Sequence, residues 1–122
     1  MKILLLFACT FMSFAGYSQK VEIPDENFEQ ALVDLNIDTD GEVNGYVLKN
    51  DAQKVTFLDV SNKKIKNLSG IEAFTSLTFL DCSNNQLSNL DLSNNIGLTI
   101  VFNDVNDLIN PNTSFMGIVL MD

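Results

Sequence analysis

The fold is decided by a stretch that the sequence contains twice, as VTFLDVSN at Val55–Asn62 and as LTFLDCSN at Leu77–Asn84. The second copy begins 77 − 55 = 22 residues after the first, and Leu98 opens a weaker third copy 98 − 77 = 21 residues further on. In each copy the apolar residues at the fourth and sixth positions are two residues apart, which predicts a short β-strand with one buried face. A period within about 20 to 29 residues, with one strand per unit, is typical of an array that stacks coil upon coil.

The spacing within the unit is that of a leucine-rich repeat. From Leu77 to Leu87 the chain reads L-x-x-L-x-C-x-x-N-x-L, which is the pattern of this repeat class. Leu80 and Cys82 are two residues apart and are predicted to point inward from the strand. Asn85 is predicted to close the turn by bonding backbone groups that a curved coil leaves unpaired.

The three units predict parallel strands near residues 56–60, 78–82 and 99–103. The predicted fold is an α/β solenoid, a short leucine-rich repeat array of about three coils with a parallel β-sheet on its concave face and an N-terminal capping helix. The third unit is degenerate, because Asn103 takes the inward position of Cys82. After Pro111 the chain is too short for another full coil, so a truncated end and end-to-end self-association through an open edge are expected.

Three blocks resemble the secreted leucine-rich repeat proteins of bacteria of the Bacteroidota kind. Ile23–Leu32 (IPDENFEQAL) resembles the opening helix of that family, and Ile65–Phe74 (IKNLSGIEAF) is similar to an internalin-like first repeat. The most specific block is Leu80–Asn95 (LDCSNNQLSNLDLSNN). The resemblance covers nearly all of the chain after residue 18. It implies a solenoid exported for protein or surface recognition, with no catalytic residues.

The chain divides into a signal peptide at 1–18, an N-terminal cap at 19–54 and the repeats at 55–122. In the first segment an apolar run follows a lysine, and Gly16 and Ser18 are small residues at the expected cleavage site. The run is shorter than the ~20 residues that span a bilayer, so we expect no stable membrane span after cleavage. A lipoprotein with its lipid on Cys9 is the alternative. The protein is therefore predicted to be secreted or displayed on the cell surface.

The cap is predicted to begin with a short amphipathic helix. Asp25 is a suitable N-cap residue, and the helix dipole favours the acidic residues in the first turn. Phe28, Leu32 and Leu35 fall at i, i+4 and i+7, which indicates one apolar face. We expect this helix to cover the first coil, whose core would otherwise meet water.

Charge and composition exclude several classes of function. Sixteen acidic residues against seven basic ones give a net charge of −9, and the chain contains no histidine. A nucleic acid is therefore not an expected partner, because its phosphates would be repelled. Two cysteines without histidine cannot form the usual zinc sites, and the commonest general base is missing. We expect a protein that is not an enzyme.

The acidic loop, residues 36–44, is the one candidate for a cofactor, a calcium ion. Its side chains Asn36, Asp38, Asp40 and Asn44 follow part of the spacing of a calcium-binding loop around a glycine bend. Position 12 of that pattern is Val47, so the usual bidentate acid is missing. The alternative is an ordinary turn that holds no ion.

The outward strand positions form two columns that predict a partner-binding surface. The columns are Phe57, Phe79 and Ile100, and Asp59, Asp81 and Phe102. Aromatic residues flanked by acids suit a protein partner with apolar and basic features, and a surface glycan is the other partner considered. The alternative is that Phe57 and Phe79 only stack on each other as a cross-strand pair.

Overall fold

The computed structural model describes residues 19–104, together with the backbone of residues 107–109 and 118–120. The predicted signal peptide lies outside the described residues. The cap contains β1 (Lys20–Glu22), α1 (Glu26–Asp34), β2 (Tyr46–Leu48) and α2 (Lys49–Gln53). The repeats contain β3 (Phe57–Asp59), a 3₁₀ turn (Ile71–Ala73), β4 (Phe79–Asp81), β5 (Asn89–Asp91), β6 (Ile100–Asn103), β7 (Asp107–Ile109) and β8 (Ile118–Leu120). Among the described residues no helix has the length and apolar character needed to cross a membrane.

The three predicted strands form one parallel sheet. In register, Leu58 of β3 lies beside Leu80 of β4, and Leu80 lies beside Val101 of β6. All three side chains are buried, so the alternation seen in the sequence turns one face of the sheet inward. The predicted order and direction of these strands are confirmed.

A threonine before each strand joins neighbouring coils in the same way. The Thr78 N–H and hydroxyl donate to the Thr56 carbonyl oxygen at 2.8 and 3.0 Å. One coil later, the Thr99 N–H and hydroxyl donate to the Thr78 carbonyl oxygen at 2.9 and 3.1 Å. The two junctions between coils are therefore nearly identical.

The sheet extends beyond the three expected coils. β8 pairs in parallel with β6, with Phe102 opposite Val119, and becomes the fourth strand of the sheet. The sequence predicted a tail too short for another full coil, and the strand that it adds to the sheet is three residues long. A second small sheet forms where β5 pairs in parallel with β7.

Asparagine side chains hold the turns between coils. The Asn85 Nδ2 donates to the carbonyl oxygens of Val60 and Cys82 at 2.9 and 3.0 Å. Its Oδ1 accepts from the N–H groups of Lys63 and Ile65, each at 3.0 Å. The first repeat has lysine at position 63 where the pattern calls for asparagine, and Asn85 of the next coil satisfies the backbone there. The predicted role of Asn85 is confirmed and extends across two coils.

The cap helix begins as predicted and buries the predicted face except at Leu35. The Asp25 Oδ1 accepts from the N–H groups of Asn27 and Phe28, which makes Asp25 the N-cap. Phe28 and Leu32 are buried, whereas Leu35 is 45% exposed. The prediction for Leu35 was wrong because the helix ends at Asp34 and Leu35 leaves its axis.

The cap and the first coil share one core. The rings of Phe28 and Phe74 are 6.2 Å apart, and both are fully buried. The second carboxylate oxygen of Asp25 accepts from the N–H groups of Lys66 and Asn67 at 2.9 and 3.0 Å. The residue that starts α1 therefore also binds the backbone of the first repeat.

Gly70 allows the 3₁₀ turn to approach the cap. Its φ is +105°, a conformation that side chains disfavour. A Cβ at this position would lie 2.8 Å from the Glu22 carbonyl oxygen. A larger residue would thus push the first coil away from β1.

Candidate functional site

The parallel sheet carries both predicted columns on its outward face. Phe57, Phe79 and Ile100 lie side by side in register, as do Asp59, Asp81 and Phe102. The strands therefore bring together all six residues predicted to bind a partner. Whether they bind one remains a prediction.

Three phenylalanines of this face form an aromatic row, Phe57, Phe79 and Phe102. The rings of Phe57 and Phe79 stack with centroids 4.3 Å apart and planes inclined by 6°. The Phe79 and Phe102 centroids are 5.7 Å apart, and these planes are inclined by 57°. Contacts of this kind contribute about 0.5–1.5 kcal/mol each. Contacts between the rings therefore explain in part why these three phenylalanines lie side by side.

Stacking does not remove the row from solvent. Phe57 is 62% exposed, since β3 is an edge strand of the sheet and the Phe79 ring stacks on one face of the Phe57 ring. A single exposed apolar side chain is ordinary, but Phe57 continues into Phe79 and Phe102, and contiguous apolar patches often mark interaction sites. The row therefore presents apolar surface on the outward face.

The aspartates at the strand ends also shape the turns that follow. The Asp59 Oδ1 accepts from the Ser61 N–H and hydroxyl at 3.0 and 2.7 Å. Asp81 and Ser83 repeat these contacts at 3.1 and 2.6 Å. The two acids therefore stabilise the turns after the strands in addition to lying on the outward face. The LDxS pattern in the sequence corresponds to these contacts between aspartate and serine.

The acidic loop folds against α1. The Asn44 Nδ2 donates to Asp40 Oδ2 at 2.8 Å. The N–H groups of Asn44 and Gly45 donate to the carboxylate of Glu29 at 2.9 and 2.7 Å. Asn36 lies at the end of α1 with a φ of 60°. Of the four predicted calcium ligands, the structure thus connects Asp40 and Asn44 directly through their side chains.

Asp38 is the unusual residue of this loop. It is 2% exposed, and no hydrogen-bond donor within the described residues reaches either carboxylate oxygen. Burial, reinforced by the charges of Asp40 and Glu29, raises the pKa of Asp38 to about 7. Within residues 19–104, no three Cys, Asp or Glu side chains already form a metal-binding group.

The sequence reasoning missed Glu29. As an acid in the first turn, Glu29 was expected only to interact favourably with the helix dipole, yet its side chain is fully buried. The available signal was its position three residues before Leu32, which places it on the buried side of α1. A buried carboxylate on that side needs donors, and the loop at Asn44 and Gly45 supplies them.

Cys82 has no reactive character. The side chain is fully buried in the inward column between Val60 and Asn103, which are buried as well. Burial raises the pKa of the Cys82 thiol to about 12, with a smaller contribution from Asp81 and Asp104. The thiol therefore acts as a small core side chain, as predicted.

Parallel strands at intervals of 22 and 21 residues, inward leucines and a turn asparagine define a leucine-rich repeat fold. Solved structures agree with this and point to the internalin-like type. The functional domain of InlJ from Listeria monocytogenes, which includes a cysteine ladder, matches 85% of this chain at 26% identity with a TM-score of 0.66. An internalin, inlF, from the same species matches 82% at 22% identity with a TM-score of 0.57.

This chain spans 24% of the InlJ domain and 26% of the inlF structure, about a quarter of each. Within the described residues Cys82 is the single cysteine, so this part of the chain contains no ladder of that kind. No protein-family model matches the sequence, and a comparison with curated proteins finds no match. The likeness in structure therefore supports an internalin-like leucine-rich repeat fold.

Proposed function

We propose that this chain is an exported, non-enzymatic recognition module, a solenoid whose concave face binds a protein partner. The observation that carries the proposal is the aromatic row on the outward face of the parallel sheet. The likeness to internalin repeats supports a role in protein interaction.

The chemistry of the face suggests what the partner presents. Phe57 offers an exposed ring, and carboxylates at Asp59 and Asp81 lie two residues along the same strands. Aromatic anchors are the residues that most often dominate a binding interface, and carboxylates around them favour positive charge. We therefore propose a partner segment that has an apolar side chain next to a lysine or arginine.

Photocrosslinking tests the proposal directly. A benzophenone amino acid placed at Phe57 is expected to form covalent adducts with a protein from the surface of the source cells. The same group placed at Ile96, which is 72% exposed and lies outside the sheet, is the matched control. Adducts that form with the crosslinker at position 57 but not at position 96 support the proposal. These adducts should also disappear when Phe79→Ala is added to the chain with the crosslinker at position 57.

Two results would contradict it. Equal adducts at positions 57 and 96 would show that any exposed apolar position captures proteins without specificity. Adducts that contain carbohydrate and no protein would point to a surface glycan, the other partner expected from the sequence.

A further inference from the structure

The acidic loop contains a buried negative group that the rest of the described chain does not neutralise. Asp38 is 2% exposed, and none of the described donors reaches its carboxylate. The next residue, Thr39, does not donate to Asp38. Its N–H and its hydroxyl both donate to Asp51 Oδ2, at 3.2 and 2.6 Å. An ionised carboxylate in such a place is unfavourable unless a cation or a proton accompanies it.

The side chains that face Asp38 add further negative charge. Asp40, from the same loop, and Glu29, from α1, lie close enough to share a hydrogen bond with Asp38 when one of the pair is protonated. The two backbone N–H groups that bind Glu29 leave further lone pairs on its oxygens. Lys20 acts on Asp40 but is not among the groups that act on Asp38.

We propose that Asp38, Glu29 and Asp40 bind one calcium ion, which holds the acidic loop against α1. Carboxylate oxygens are the ligands that this hard cation prefers, and its flexible coordination accepts backbone oxygens and water in the remaining positions. The three carboxylates have to close around the ion, since they do not already form a metal-binding group. The assignment is independent of the recognition function.

Asn44 has a positioning role in this arrangement. Its amide nitrogen donates to Asp40 Oδ2, and its amide oxygen accepts from the Tyr46 N–H at 3.2 Å. The amide therefore orients Asp40, with its nitrogen toward the carboxylate and its oxygen toward the Tyr46 N–H. The ligand set differs from the sequence prediction, which contained Asn36 and Asn44 but not Glu29.

Thermal unfolding of the full chain in EDTA and in calcium chloride tests the assignment. Calcium at 10 mM is expected to raise the Tm by several degrees, with a midpoint on the order of 10⁻⁴–10⁻³ M, as in extracellular modules. Asp38→Asn should abolish the response. Asp34 is an exposed acid at the end of α1, and the control variant Asp34→Asn should respond to calcium like the unmodified chain.

A second variant keeps the test decisive if Asp38→Asn does not fold. Asp40 is exposed, so Asp40→Asn is expected to fold and to weaken the calcium midpoint by roughly tenfold through the loss of one charged ligand. A Tm that is independent of calcium up to 10 mM would overturn the assignment, as would a response in Asp40→Asn equal to that of the unmodified chain. If the unmodified chain shows no response to calcium and Asp38→Asn raises the Tm relative to it in both EDTA and calcium, a proton is the neutralising group and the assignment is overturned.

Discussion

Asn85 shows how one amide can stabilise two coils. A β-strand bonds its neighbours along its length, but the turn that follows leaves N–H and carbonyl groups without strand partners. Asn85 reaches such groups in its own coil, at Cys82, and in the preceding coil, at Val60, Lys63 and Ile65. It thereby compensates for the lysine at position 63.

Replacing Asn85 by alanine should therefore destabilise the array more than its partial exposure suggests. We expect a loss of about 2–4 kcal/mol in the free energy of unfolding, because several hydrogen bonds worth about 1 kcal/mol each disappear together. Urea denaturation measures this loss. Gln86→Ala, at the exposed neighbouring position, should change the stability by less than ~0.5 kcal/mol, and an equal loss in both variants would contradict the assigned role.

Cys82 gives a chemical test of the core. Because the pKa of the buried thiol is raised to about 12, almost no thiolate exists at pH 8, and the fold also excludes reagents. In a Cys9→Ser background, a thiol reagent should modify Cys82 only after unfolding in urea. Rapid modification of the folded chain, at the rate of a free cysteine peptide, would show that this side chain is accessible.

The start of α1 connects the cap helix to the first repeat. One oxygen of Asp25 caps the helix, and the other accepts from the backbone of Lys66 and Asn67. The helix cannot dissociate from the first coil without breaking the hydrogen bonds from Lys66 and Asn67 to Asp25. Its stability therefore depends on the repeat as well as on its own nine residues.

Two variants of Asp25 separate the contributions. Asp25→Asn keeps a good N-cap but replaces one acceptor oxygen with a donor, so only the contacts to the repeat are lost, at about 1–3 kcal/mol. Asp25→Ala should cost about 1 kcal/mol more, because the cap is lost as well. Chemical denaturation measures both losses. A stability of Asp25→Asn equal to that of the unmodified chain would mean that the contacts to the repeat contribute nothing.

The described residues share one continuous apolar core, which runs from Ile23 and Phe28 in the cap to Leu98 and Val101 in the third unit. The contact between the Phe28 and Phe74 rings joins the cap to the coils within this core. Repeat arrays derive stability mainly from neighbouring units, so a continuous core predicts that the cap and the coils unfold together.

Phe74→Ala tests this cooperativity. The ring is fully buried between the first coil and Phe28, and its removal should cost about 3–5 kcal/mol. The fluorescence of Tyr46 in the cap, followed in a Tyr17→Phe background, should still change together with the far-ultraviolet circular dichroism of the whole chain. Two separate transitions would show that the cap and the coils are independent units.

The repeat period was sufficient to predict β3, β4 and β6, because local alternation and regular spacing determine these strands. It did not predict β8, whose short apolar sequence has no repeat partner at the expected spacing. Leu35 was misassigned because periodicity does not locate the end of a helix. The burial of Glu29 could have been inferred from its position three residues before Leu32. The burial of Asp38 was beyond sequence reasoning, since it depends on how the acidic loop packs against α1.

The matched threonine contacts have a consequence for how such a gene changes length. Each coil presents to the next the same carbonyl oxygen that the previous coil presented to it, at distances that agree within 0.1 Å. An in-frame duplication of 21 or 22 codons within the repeats would therefore supply a coil that finds its partners already in place on both sides. A duplication that is not a whole number of coils would move leucines out of the core, so the array changes length most readily in whole coils.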